Sequence, residues 1–215
     1  MKLINDEAII LNKKEISGSS VLVTMFTKKH GKISAIIFNA RNSKKKHLAS
    51  IMPLSISDVE IEVKSNSKII RNTILKKSFD KSLLKIEKLQ LSLYVLHSLN
   101  QVLEFDNLEE ELYDKSIEIL EYINGLDDDT LMNMNFNIFI LVTFLRRLMI
   151  ELGIYDINQL INQYGLFNEY RDYLEYSKNG ITKDTNSLVT MLNCFQDYIN
   201  NYFNIRLDYK KILIL

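Results

Sequence analysis

Strand-like and helix-like patterns of apolar residues divide the chain near residue 80. Ala8-Ile9-Ile10-Leu11 opens a β-rich run, and Val21-Leu22-Val23-Thr24-Met25-Phe26-Thr27 is dense in β-branched and aromatic residues. Lys28-Lys29-His30-Gly31 predicts a hairpin turn, with Gly31 supplying a positive φ. Lys32 to Phe38 returns as a third strand, and Asn39 suits the left-handed conformation at its end. A basic loop, Arg41 to His47, follows. Val59-Glu60-Ile61-Glu62-Val63 alternates strictly, and Ile69 to Leu75 supplies a fifth strand after Ser65-Asn66-Ser67. Five short strands in so little chain suit a small closed barrel of the OB type, because a sandwich needs about seven.

After Phe79 the period becomes helical. A broad stripe, Leu83, Leu84, Ile86, Leu91, Tyr94, Val95, Leu99, Val102 and Leu103, predicts one long helix from about Ser82. Asn107 with Glu110 resembles a capping pair for a helix closing at Gly125. Asp127-Asp128-Asp129-Thr130 supplies cap chemistry for Leu131 to Leu152, apolar almost all round and stopped by Gly153. Leu188, Met191, Leu192, Phe195, Ile199 and Phe203 mark a last helix from about Thr185. The expected fold class is therefore α+β in two domains, a five-stranded OB barrel over residues 1–80 and an all-α domain over 81–215.

Composition adds less than charge does. With 215 residues, 47% of them hydrophobic, the chain buries a core and is not disordered. Its single cysteine, Cys194, excludes an intramolecular disulfide and a four-cysteine zinc site. Asp6 and Glu7 interrupt the N-terminus before any signal-like apolar core, and Ile138 to Leu145 is far short of the roughly 20 residues of a membrane span. A cytoplasmic protein with no membrane partner is expected. The net charge of zero conceals an asymmetry: residues 1–80 carry 15 Lys+Arg against 7 Asp+Glu, whereas residues 81–215 carry 12 against 20. No acidic residue occurs from Ile16 to Ser57, and such a field attracts polyanions.

Catalytic chemistry is not assembled. His30, His47 and His97 fall in a turn, a loop and an apolar helix, and the sequence has no metalloprotease, nucleophile-elbow, phosphate-loop or dinucleotide motif. No catalytic residue, cofactor or metal ligand is expected. Asp127-Asp128-Asp129 reads as solvated carboxylates favoured by a helix dipole, and Cys194 reads as a buried thiol. The lysines carry more meaning. On an OB barrel the strand 2–3 face and its flanking loops form a groove where cations hold phosphates and aromatics stack bases. Lys28, Lys29, Lys32, Arg41, Lys44, Lys45 and Lys46 are the expected phosphate contacts, and Lys76 and Lys77 extend that surface. Phe26 and Phe38 are the nearby aromatics, and each fits either stacking or core packing.

These residues resemble, in order and spacing, the N-terminal domain of the RecO family of bacterial recombination mediators. The likeness rests on Glu7-Ala8-Ile9-Ile10-Leu11, Leu22-Val23-Thr24-Met25-Phe26-Thr27, His30-Gly31-Lys32-Ile33-Ser34-Ala35, Ala40-Arg41 and Pro53-Leu54-Ser55. It continues in Tyr94-Val95-Leu96 and in Phe144-Leu145-Arg146-Arg147-Leu148-Met149-Ile150-Glu151-Leu152-Gly153. The resemblance implies a non-catalytic protein that binds single- and double-stranded DNA and anneals complementary strands. It further implies that the protein works with RecR and the single-strand-binding protein to load RecA.

This sequence departs from the family in several places. Ile16-Ser17-Gly18-Ser19-Ser20 replaces a turn that usually carries two carboxylates, which deepens the positive field. His97 stands where a glutamate is common, and Ile154 to Lys183 holds no cysteine, so the four-cysteine zinc module of many members is absent. The family's contact with the C-terminal tail of the single-strand-binding protein points to Arg146 and Arg147. Arg147 equally suits an ion pair with Glu151, four residues on. A protein-interaction scaffold and an RNA-binding OB protein are the alternative functions.

Overall fold

The computed structural model describes every residue except 1, 17, 39, 41–46, 66, 181–184 and 213–215. Five strands, β1 (Lys2–Glu15), β2 (Val21–Thr27), β3 (Gly31–Ile37), β4 (Ser55–Val63) and β5 (Lys68–Ser78), close into a barrel in the order β1-β2-β3-β5-β4. Neighbours are antiparallel except β3 and β5, which meet in parallel at Ile36 and Ile69. Closure depends on β1. It pairs with β4 from Lys2 to Ile9 and with β2 from Ala8 to Glu15, and a register shift between Ile10 and Asn12 lets one strand serve both edges. This is the five-stranded OB arrangement.

Alternation fills the barrel as expected. Val21, Val23 and Met25 of β2 and Ile33, Ala35 and Ile37 of β3 join Ile4, Ala8, Ile10, Val59, Ile61 and Ile70 in one buried cluster. Ile51, just after the short α1 (His47–Ser50), belongs to the same cluster. Gly31 begins β3 at φ +68°, and a Cβ there would lie 1.8 Å from the Asn107 carbonyl oxygen, so both conformation and space demand glycine.

Strands give way to helices after Ser78. The single helix expected from Ser82 is two, α2 (Asp80–Leu84) and α3 (Ile86–Val102), because Lys85 between them is extended at φ −125° and ψ 128°. Helix α4 (Glu110–Gly125) begins later than a cap at Asn107 would place it. Asn107 instead donates to the Glu109 carboxylate, and the chain just before it bridges to the barrel through Lys32 and Phe105. These three helices group with the barrel, so the compact units are Met1–Gly125 and Leu126–Leu215, whereas the change of secondary structure lies near residue 80.

The second unit holds α5 (Asp128–Leu131), α6 (Met134–Glu151), α7 (Ile157–Tyr164), α8 (Phe167–Asn179), α9 (Thr185–Phe203) and a 3-10 turn, Tyr209–Lys211. The helix expected from Leu131 to Leu152 is divided. Asp127 caps only α5, accepting the Thr130 amide at 2.7 Å, and Asn133 caps α6 through the Asn135 and Phe136 amides. Helix α6 is the buried centre of this unit and packs on α9, whose Leu188, Met191, Leu192, Phe195 and Ile199 are fully buried. Cys194 on α9 is half-buried rather than fully enclosed, and burial pushes its thiol above the ordinary range.

Candidate nucleic-acid interface

Because Val21, Val23, Ile33, Ala35 and Ile37 point inward, the register leaves three outward pairs across β2 and β3: Leu22 with Ile36, Thr24 with Ser34, and Phe26 with Lys32. The Phe26–Lys32 end is covered. Phe26 has no exposed surface and meets Tyr113 of α4 edge to face at 5.3 Å. Lys32 is 7% exposed, and its ammonium donates to the Asn100 carbonyl at 2.5 Å and the Leu103 carbonyl at 3.1 Å, under the Phe105 ring at 4.6 Å. Those carbonyls end α3, where a cation satisfies unpaired acceptors and opposes the helix dipole. Burial lowers the Lys32 pKa. The expectation that Lys32 touches DNA is therefore corrected: its charge is held inside the fold. Phe26 is likewise core.

The other end is open. Leu22, Thr24, Ser34 and Ile36 are half-exposed, the Thr24 and Ser34 hydroxyls lie 2.8 Å apart, and Phe38 just beyond β3 is 54% exposed. On β1, Asn12 pairs with Thr24 and Lys14 with Leu22, which places an exposed lysine beside this surface. Lys14 precedes the acid-free window that begins at Ile16, and the register reveals its face. Among the described residues no ion pair holds Lys14. Arg41, Lys44, Lys45 and Lys46, which the chain places shortly after Phe38, lie outside the described residues.

The remaining lysines do not gather at the open end. Lys28 donates to Asp114 of α4 at 2.8 Å, and that hydrogen bond raises its pKa. The Lys29 amide donates to Asp6, which also meets His30 at 2.8 Å, while the Lys29 side chain is exposed. Lys76 pairs with Glu7 and with Asp58, and Lys77 with Glu121. A groove of about 520 Å³ on this side, lined among others by Asp6, Glu7, Asp58, Glu60, Lys28 and Lys29, brings four carboxylates against two ammonium groups, the wrong balance for a polyanion.

In the second unit, Arg147 makes the ion pair with Glu151 at 3.3 Å, and Arg146 donates to the Tyr155 hydroxyl at 3.1 Å with its guanidinium over that ring. Burial pushes the Tyr155 phenol up to about 12. Among the described residues no group of three His, Cys, Asp or Glu is placed to hold a metal, and no helix is long and apolar enough to cross a membrane.

Comparison with known proteins bears on the barrel most strongly. Residues 1–79 match the family described as Recombination protein O N terminal. The chain is 28% identical over 130 residues to the DNA repair protein RecO of Caldanaerobacter subterraneus subsp. tengcongensis, covering 60% of this chain and 53% of that protein. It is 28% identical over 124 residues to RecO of Clostridium perfringens, with 58% and 50% covered. For RecO of Rhodopirellula baltica the identity is 27% over 120 residues, with 55% and 44% covered. The aligned part spans about half the length of these relatives.

Proposed function

We propose, from the premise that this chain belongs through its N-terminal domain to the RecO family, that the protein is a non-catalytic mediator of DNA repair and recombination. In this reading it binds single- and double-stranded DNA, anneals complementary strands and acts in the cytoplasm at the nucleoid. It works with RecR to help load RecA on DNA coated by the single-strand-binding protein. The observation that carries the reading is the open end of the β2–β3 face. An uncovered strip of hydroxyl, apolar and aromatic side chains runs beside Lys14, within a chain segment that has no carboxylate from Ile16 to Ser57. Cations there can displace the counterions of a phosphate backbone.

The helical unit supports the second half of the proposal. Arg146, on the apolar α6 and half-exposed over Tyr155, offers a cation next to aromatic surface, which suits the acidic, apolar-ended tail of the single-strand-binding protein. Arg147 is already paired with Glu151, so Arg146 is the better candidate.

The test is binding and annealing by the full chain across a range of salt. Affinity for DNA should fall steeply as salt rises, and complementary strands should anneal faster with protein than without. Salt-independent binding, or no binding, would refute the proposal.

A further inference from the structure

The exposed ring of Phe38 is not explained by electrostatics. Alternation along β3 sends Ile33, Ala35 and Ile37 into the core and Ser34 and Ile36 outward, and Phe38 follows in the turn one residue past the strand, exposed. Of the two aromatics near the basic segment, Phe26 is sealed against Tyr113, and Phe38 shows 54% of its surface. Among the described residues no ring packs on Phe38 and no cation sits over it. Its exposure leaves an apolar π-face accessible to a ligand.

Its neighbours define what that is. Lys14, Leu22 and Ile36 are register partners on three successive strands, so the lysine stands about 10 Å from Ile36 at the usual strand spacing. An aromatic face beyond an apolar step, flanked by a cation, matches one nucleotide laid across the strands, its phosphate at Lys14 and its base on the ring. A duplex cannot use this arrangement, because its bases are already stacked and paired.

We propose that Phe38 is the residue by which this surface discriminates single-stranded from duplex DNA: an unpaired base stacks on its ring while Lys14 holds the adjoining phosphate. The inference rests on the reading of the open β2–β3 end as the DNA-binding surface. Duplex binding then depends on the cations alone, and single-strand binding on cations and ring together.

The experiment measures fluorescence anisotropy of a labelled oligothymidine and of a labelled duplex of equal length against the wild-type chain, Phe38→Ala and Phe38→Tyr. Phe38→Ala should weaken single-strand binding by about tenfold and duplex binding by less than about twofold, while Phe38→Tyr stays near wild type on both. Equal losses on both DNAs, or no loss on the single strand, would overturn the inference while leaving DNA binding itself intact. Failure of the wild type to bind either DNA would overturn the underlying reading and the inference with it. Because the side chain is largely exposed, unchanged melting of Phe38→Ala is expected and separates loss of a contact from loss of fold.

Discussion

The two ends of the outer β2–β3 face are built on one alternation, yet they differ in what helices have done to them. At one end Phe26 and Lys32 point outward from the sheet and are covered by Tyr113, Phe105 and the last carbonyls of α3. At the other, Leu22, Thr24, Ser34 and Ile36 point outward, and they and Phe38 remain accessible, with Lys14 alongside. The same residue type thus has opposite roles. Lys32 is a structural cation that ties the barrel to α3, whereas Lys14 is a surface cation with no ion pair among the described residues. Sheet geometry decides which way a side chain points, and packing from distant sequence decides whether a ligand can reach it.

The comparison breaks most visibly where the covered end is anchored. Gly31→Ala places a Cβ 1.8 Å from the Asn107 carbonyl oxygen at a positive φ, and it should destabilise the protein by about 2–5 kcal/mol, read by denaturant or thermal unfolding. Near-wild-type stability would mean that the chain around Asn107 is not held against the barrel. Lys32→Met keeps the aliphatic stem but leaves the Asn100 and Leu103 carbonyls without their ammonium donor, at an expected cost of about 1–3 kcal/mol. DNA affinity of the folded protein should stay within about twofold, because this charge does not face solvent.

Changes to the basic segment sharpen the comparison from the other side. Replacing Lys44, Lys45 and Lys46 together by Glu should reduce the slope of log affinity against log salt by about two to three units, roughly one per lost phosphate contact. Smaller still is the effect expected of Lys76→Ala and Lys77→Ala. Both cations are paired with carboxylates away from the open end, so each should change DNA affinity by less than about twofold.

Much of this was legible in the sequence, and what was not has a common cause. The strands, the Gly31 turn and the bounds of α9 follow from local pattern, because alternation and helical period are properties of neighbouring residues. The break at Lys85 escaped because Leu83, Leu84 and Ile86 are apolar on both sides of it and exposed in the fold. Asn107 looked like a helix cap, but the chain leading to it bridges to a strand some seventy residues earlier, as the Lys32–Phe105 pairing shows. Lys32 was misplaced for the same reason: its outward direction was readable, and the cover from α3 was not. Phe26 and Phe38 could not be told apart until Tyr113 was placed over one of them.

The most direct test compares Lys14→Ala with Lys28→Ala in the whole 215-residue chain, measuring oligothymidine affinity over a series of salt concentrations. Lys14 borders the open end, and Lys28 sits in the β2–β3 turn beside the covered end, hydrogen-bonded to Asp114. The account predicts that Lys14→Ala lowers affinity several-fold and reduces the salt slope by about 0.7, the value for one single-strand phosphate contact, while Lys28→Ala leaves the slope unchanged. A reduced slope for Lys28→Ala with an unchanged one for Lys14→Ala would contradict it and move the DNA to the other end of the barrel.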